Sequence, residues 1–110
     1  MIVTGGENVY STDVEDVLYR HPAVLEAAVF AVPDRRWGEA VHAVVVPRAG
    51  CSVGEAELVA HCRDAIAGYK VPKRIELRSE PLPKSGAGKV LKRELRAPHW
   101  EGREPMVSGA

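Results

Sequence analysis

The segment from residue 81 to residue 96 holds the side chains of this chain whose types and spacing best suit chemistry. It reads PLPKSGAGKVLKRELR, so a turn containing Ser85, Gly86 and Gly88 presents Lys89 to the start of a short basic helix. Glycine allows positive φ and close approach of the backbone to a ligand, and a lysine ammonium is a compact cation suited to oxyanions. The segment predicts a loop that delivers Lys89 to a negatively charged group, although composition alone favours a solvent-exposed surface loop.

The same turn does not match the P-loop of nucleotide-binding proteins. That motif needs a glycine four residues ahead of its Gly-Lys pair and a serine or threonine directly after the lysine. Here Pro83 and Val90 occupy those positions. We therefore predict no nucleotide cradle within this segment itself.

Three other segments contain residues that could bind a ligand. One is a polar glycine turn, and the other two place an aromatic residue next to cationic side chains. Gly5-Gly6-Glu7 is a tight polar turn whose simplest interpretation is a plain hairpin turn. Trp37 follows two arginines, and Tyr69 precedes Lys70 and Lys73. An aromatic ring beside cations can stack on a planar base and contact phosphates. A Trp37 ring folded against the edge of the core is at least an equal alternative.

Composition narrows the function classes. The 110 residues suffice for one domain with a modest core, and fifteen basic residues balance fifteen acidic ones, which disfavours a general nucleic-acid binder. Cys51 and Cys62 form no redox or ligand pair, and Cys62 is predicted to be a small core residue. The four histidines share no metal-ligand spacing, so no metal site is predicted; His21 and His99 are expected to be exposed.

Hydrophobic periodicity predicts an α+β fold, with a small central sheet of about three strands flanked by two or three helices and preceded by a β-hairpin. The expected strands cover residues 24–32, 40–46 and 74–77, and the expected helices cover 12–20, a segment opened by Ser52, and about 89–96. No apolar run is long enough to span a membrane and no signal peptide is evident, so a cytoplasmic protein is expected. Residues 97–110 are predicted to form a flexible tail.

Local signals suggest how two of these helices begin and end. Thr12 with Glu15, and Ser52 with Glu55, have the spacing of a capping box. Gly68 is the predicted C-cap of the second of these helices.

The order of the motifs resembles a known family. The sequence runs through MIVTGGENVY, VEDVL, HPAV, AVPD with RWGE, YKVPK and LPKSGAGKVLKREL. Each motif is moderately specific, and six in this order resemble the C-terminal domain of AMP-forming acyl-CoA synthetases. These enzymes belong to the adenylate-forming superfamily, with luciferases and the adenylation domains of peptide synthetases. The resemblance covers residues 1 to about 96 and implies a mobile lid domain.

The resemblance implies two roles at two places. Lys89 is the implied catalytic lysine of acyl-adenylate formation, for which a delivered cation stabilises charge on the carboxylate and the α-phosphate. After rotation of the lid, Gly5, Gly6 and Glu7 are implied to line the path of the pantetheine arm of coenzyme A. The CoA nucleotide is then expected near Trp37 and Tyr69, with Lys70 and Lys73 on its phosphates. Ser11 departs from the family, in which many members have proline.

The resemblance also implies partners. In the family a large N-terminal domain holds ATP, Mg²⁺ and the carboxylic acid, and coenzyme A is the usual acceptor; this lid is expected to hold no cofactor alone and to be inactive in isolation. A fatty acid is the expected substrate. Two alternatives stay open: the lid of an acyl-AMP ligase that loads the phosphopantetheine of a carrier protein, and a free-standing regulatory or docking module.

Overall fold

The chain begins with a short β-hairpin at the edge of a mixed sheet. The computed structural model describes residues 1–36 and 38–100. Strands β1 (Ile2–Thr4) and β2 (Glu7–Val9) pair antiparallel, with Thr4 opposite Glu7. The two residues between them, Gly5 and Gly6, have φ of 56° and 87°. A two-residue turn with positive φ at both positions matches the twist of the strands and favours glycine, which explains the Gly-Gly pair.

Two long strands form the centre of the sheet. β3 (Val24–Asp34) and β4 (Gly38–Pro47) pair antiparallel along their whole length, with a bulge between Val24 and Glu26. Both run beyond the predicted bounds of 24–32 and 40–46, so the connection shrinks to residues 35–37. Asp34 Oδ1 accepts the Arg36 N–H at 2.8 Å, which stabilises the start of this turn.

The free edge of β4 is shared by two other strands. β1 meets it where Thr4 lies opposite Gly38, and β5 (Arg74–Leu77) pairs with it in parallel from His42 to Val45. The described sheet therefore has five strands, in the order β2-β1-β4-β3 with β5 beside β4. The α+β class is confirmed, and the predicted central sheet gains the N-terminal hairpin as two further strands.

Helices cover both faces of the sheet. α1 (Ser11–Tyr19) and α2 (Glu55–Ala65) lie on one face, where alternate residues of β3 and β4 bury their side chains against Leu18, Leu58 and Cys62. α3 (Lys92–Trp100) covers the other face, where Leu95 packs with Leu82. The alternation of β3 and β4 residues between the two clusters is the period of two that a strand buried on both faces requires.

Both predicted capping boxes are wrong. α1 starts after Tyr10 and α2 after Gly54, and neither has a side-chain capping bond. The two glutamates of the predicted boxes bond to distant strands instead: Glu15 Oε2 accepts the Val29 N–H and Glu55 Oε2 accepts the Ile75 N–H. Gly68 is also not a C-cap, because α2 ends at Ala65 with Ile66 as its C-cap, and Gly68 opens the 3₁₀ turn Gly68–Lys70.

The last helix lies further along the chain than the sequence indicates. It begins at Lys92 rather than near 89, and it continues through Pro98 to Trp100. The Trp100 indole N–H donates to the Ala31 carbonyl of β3 at 3.0 Å. This bond and the burial of Leu95 hold residues 97–100 in the helix; the rest of the predicted tail lies outside the described residues.

The prediction that Cys62 is a small core residue is confirmed. Both cysteines are free thiols, with Cys51 exposed and Cys62 fully buried on the side of α2 that faces the sheet. Burial raises the pKa of the Cys62 thiol to about 11. Cys62 is therefore a neutral core residue.

Candidate functional site

Lys89 follows the turn of a small β-hairpin. The Ser85 N–H donates to the Lys89 carbonyl at 2.8 Å and the Gly88 N–H to the Ser85 carbonyl at 2.9 Å, while Lys84 and Val90 form an antiparallel bridge. Gly88 has a φ of 85°, which an L side chain adopts only with strain. The prediction that Lys89 lies in the first turn of the basic helix is wrong, because α3 starts three residues later.

This segment, which we call the lysine hairpin (residues 82–91), is fastened to β3. Glu26 Oε1 accepts the Leu82 N–H at 3.0 Å, and the Lys84 ammonium contacts both Glu26 oxygens at 2.9 Å. Burial by itself raises the pKa of Glu26, but the bonds from Lys84 and Leu82 outweigh it and hold the pKa below its usual value. Leu82 is also buried against the sheet. The base of the hairpin is therefore fixed.

Lys89 differs from the lysines on either side of it. Lys84 is paired with Glu26, and Lys92 contacts Glu15 at 2.7 Å and the Ser11 hydroxyl at 3.1 Å. Within residues 1–36 and 38–100, the Lys89 ammonium has no such partner, and its side chain is exposed. The hairpin therefore presents one available cation on a fastened base.

The turn of the N-terminal hairpin lines a cavity at another place. This cavity, of about 280 Å³, is lined by eight residues: Thr4, Gly5, Glu7, Val41, Gly68, Tyr69, Val71 and Lys73. Four of the predicted site residues, Gly5, Glu7, Tyr69 and Lys73, thus come together, although more than sixty positions separate the first two from the last two. We call this the glycine–tyrosine cavity.

The remaining predicted residues lie beside these two places. Gly6 completes the turn next to Gly5, and the Lys70 ammonium lies 5.9 Å from the centre of the Tyr69 ring. Ser85, Gly86 and Gly88 form the turn of the lysine hairpin. Trp37 lies outside the described residues.

The two places attach to the sheet at different points. The lysine hairpin bonds to Glu26, which pairs with Val46, whereas Val41 lines the glycine–tyrosine cavity. Five residues of strand separate Val41 from Val46, or about 17 Å at 3.3–3.4 Å per residue. The points at which the two places attach to the sheet are therefore about 17 Å apart.

Four residues of the cavity were not among the predicted site residues, namely Thr4, Val41, Gly68 and Val71. Strand alternation could have placed Thr4 beside the turn. The parallel pairing of β5 with β4 brings Gly68 and Val71 to Val41, and no local pattern signals it. Two larger clefts, of about 440 and 560 Å³, are lined by none of the predicted site residues in the described part of the chain.

None of the helices in the described part of the chain combines the length and apolar character needed to cross a membrane.

Comparison with known proteins identifies the domain type. Residues 13–89 match the family model of the AMP-binding enzyme C-terminal domain. The chain is 51% identical over 96 residues to a feruloyl-CoA synthase from an Amycolatopsis species, covering 87% of this chain and 19% of that protein. It is 50% identical over 96 residues to a long-chain-fatty-acid–CoA ligase from Yersinia pestis, covering 87% of this chain and 17% of that protein.

Solved structures show the same fold. The chain superimposes on the amide bond synthetase McbA from Marinactinospora thermotolerans with a TM-score of 0.82 and 42% identity, covering 87% of this chain and 19% of that one. The chain thus spans about a fifth of the length of the proteins it matches.

Proposed function

The chain belongs to the AMP-binding enzyme C-terminal domain family, and from this membership we propose that it is the mobile lid of an AMP-forming carboxylic acid–CoA ligase. The lid presents Lys89 for adenylation and then rotates to present the glycine–tyrosine cavity for thioester formation. The observation that carries this proposal is the lysine hairpin, whose base is bonded to Glu26 while Lys89 extends from it without a partner in the described residues.

Lys89 is the group we assign to adenylation. Attack of a carboxylate on the α-phosphate of ATP gathers negative charge on both groups and on the bridging oxygen. A cation placed there by a pre-organised hairpin stabilises that charge without reorganisation during the reaction. The glycines of the turn add no side-chain bulk, since a Cβ at Gly86 or Gly88 meets nothing within 4 Å in this domain, and they leave room for a partner domain.

The glycine–tyrosine cavity is the place we assign to the pantetheine arm of coenzyme A. Its volume of about 280 Å³ and the two glycines in its wall suit an extended chain. Lys73 and Lys70 supply cations for phosphates beside the Tyr69 ring. Glu7 lies in the same wall, where a carboxylate can accept the proton of a thiol. Coenzyme A supplies the thiol that displaces AMP from the acyl-adenylate.

The acid and the acceptor belong to the whole enzyme. Similar relatives are named for feruloyl and for long-chain fatty acyl groups; we keep a fatty acid as the first candidate and an aryl acid as the second. Coenzyme A is the first candidate acceptor. A carrier-protein phosphopantetheine is the alternative, and the likeness to an amide bond synthetase adds an amine acceptor to the assay.

A domain transplant tests this proposal. The chain is joined to the part of the Amycolatopsis feruloyl-CoA synthase that precedes the matched 96 residues, and ferulate-dependent release of pyrophosphate and formation of thioester are measured with coenzyme A, a holo-carrier protein or an amine. We expect thioester formation by the fusion and none by either part alone. A fusion no more active than the truncated synthase would favour a free-standing regulatory module.

Location in the cytoplasm stays part of the proposal and is tested by cell fractionation.

A further inference from the structure

Two histidines and a glutamate converge between the sheet and the last turn of α3. One ligand atom from each of His42, Glu76 and His99 lies within 4.8 Å of the other two. The His42 Nε2 and Glu76 Oε1 atoms are 3.5 Å apart, and the centres of the two imidazole rings are 4.6 Å apart. The sequence did not indicate that His42 and His99 lie together. The prediction that His99 and His21 are exposed is wrong, because both are half-buried.

Three different elements bring these side chains to one face. His42 alternates with Val44 and Val46 along β4, so it points to the α3 side of the sheet, opposite to Val41 of the glycine–tyrosine cavity. Glu76 of β5 pairs with Val44. His99 lies four residues after the buried Leu95, which places both on one side of α3.

Of the three side chains, the imidazole of His42 gives the strongest indication that a ligand binds here. Its side chain is only 9% exposed, and Nε2 has no hydrogen-bond partner in the described part of the protein. Glu76 Oε1, at 3.5 Å, is beyond the usual length of an N–H···O bond. A buried imidazole nitrogen without a partner is costly in a folded protein, unless something else occupies its lone pair or accepts its proton.

We propose that His42, Glu76 and His99 form a binding site for a divalent transition-metal ion of the zinc type. Two imidazoles and one carboxylate are a frequent zinc ligand set, with water completing a tetrahedron. Tetrahedral ligands at 2.0–2.1 Å from zinc are about 3.4 Å apart. The half-exposed Glu76 and His99 can rotate to close the difference from 4.8 Å, while the buried His42 stays fixed.

Bound metal connects the end of α3 to β4 and β5. Phe30, whose ring centre is 5.3 Å from that of His42 and 6.0 Å from that of His99, lies beside both imidazole rings on one side of the site. Arg74 is the nearest cation on β5, and its guanidinium is paired with Glu55 at 2.9 Å. The site is separate from Lys89 and from the cavity, so its test needs no enzyme assay.

The test is metal binding by the tag-free 110-residue chain. The background carries Cys51→Ser, which removes the exposed thiol as a competing ligand; Cys62 is buried. Zn²⁺ is titrated by calorimetry, Co²⁺ by visible absorption, and melting is followed with and without Zn²⁺. We expect one ion per chain, a tetrahedral Co²⁺ spectrum, a Tm increase of at least about 5 °C at saturation, and no response to Mg²⁺.

Variants distinguish this site from adventitious binding. Glu76→Gln and His99→Ala are half-exposed changes that leave the core intact, and each is expected to weaken Zn²⁺ binding about 100-fold. The matched control is His21→Asn, because His21 also lies beside a second histidine, His61, at 5.1 Å between ring centres and beside Glu57 at 3.1 Å. His61 is already occupied by the Val17 carbonyl at 2.7 Å. Absence of Zn²⁺ binding, binding that survives both site variants, or loss of binding in the control would overturn the proposal.

Discussion

Three glutamates connect distant elements of this domain by the same arrangement. Each carboxylate accepts one backbone N–H from another element and also contacts one cationic side chain. The sets are Glu15 with Val29 N–H and Lys92, Glu26 with Leu82 N–H and Lys84, and Glu55 with Ile75 N–H and Arg74. The ties position α3, the lysine hairpin and β5 against the rest of the fold.

Glu26 should make stability depend on pH in the acid range. Its pKa is lowered in the folded state, so between that value and the unfolded value near 4.5 the unfolded chain binds more protons. Its contribution is fully present above about pH 4.5 and is lost as the pH falls through the folded pKa. Glu26→Gln should cost about 1 kcal/mol at pH 7 and flatten the decline below pH 4.5.

Urea unfolding measured from pH 7 to pH 3 checks this expectation. The control is Glu80→Gln, which changes an exposed glutamate next to the same hairpin. An acid decline that is as steep in Glu26→Gln as in the parent chain would show that Glu26 is not its source.

Lys92 should matter more to stability than its exposed neighbour. Its ammonium contacts Glu15 and Ser11, and removing it leaves a carboxylate that is only 16% exposed without its cation. Because Lys92 is itself about one-third exposed, we expect Lys92→Met to lower the free energy of unfolding by about 1–2 kcal/mol. Arg93→Met should change it by less than 0.5 kcal/mol, on the order of an ordinary surface substitution; equal effects in urea titrations would contradict the account.

At the level of elements, the sequence identified the strands and helices better than their ends. Val24, Val29, Val41 and Val45 lie in runs whose β-branched content predicts buried strands, and they are buried strands. Glu15 and Glu55 show why local rules fail at helix starts. A capping box considers bonds between residues three apart, whereas the observed partners of these glutamates are 14 and 20 residues away.

Four of the eight residues that line the glycine–tyrosine cavity were among the predicted site residues, but their assembly into one cavity was not predictable. The Gly5-Gly6 turn follows from glycine chemistry alone. Its proximity to Tyr69 and Lys73 depends on β5 pairing in parallel with β4, a contact between segments about thirty residues apart in sequence. The same long-range pairing brings Glu76 to His42, so no spacing rule could show that cluster.

The two glycines of the lysine hairpin should respond differently to substitution. Gly88 has positive φ, so alanine there is strained and should cost about 1–2 kcal/mol. Gly86 lacks positive φ and has open space around its Cβ. Gly86→Ala should therefore stay within about 0.5 kcal/mol of the parent chain in thermal unfolding; a larger loss for Gly86 than for Gly88 would refute this hairpin geometry.

At the scale of the whole molecule, one sheet carries two separate groups of proposed site residues. The lysine hairpin is bonded to Glu26 of β3, which pairs with Val46, whereas the glycine–tyrosine cavity is lined by Val41 of β4. A ligase that used both at one reaction centre would have to turn the domain between its two half-reactions. The lid proposal therefore requires the domain to rotate. A substitution at one of the two places should then spare the half-reaction performed at the other.

The most direct measurement is of both half-reactions in the fused enzyme carrying Lys89→Ala or Gly68→Leu. Gly68 lines the cavity, has no positive φ and has open space around a Cβ, so we expect leucine to be accommodated there and to narrow the cavity. Arg63→Ala, an exposed charge on α2, is the control. Lys89→Ala should slow adenylation by about 10²–10³-fold and spare thioester formation from supplied acyl-adenylate. Gly68→Leu should do the reverse, and equal loss of both steps in either variant would contradict the account.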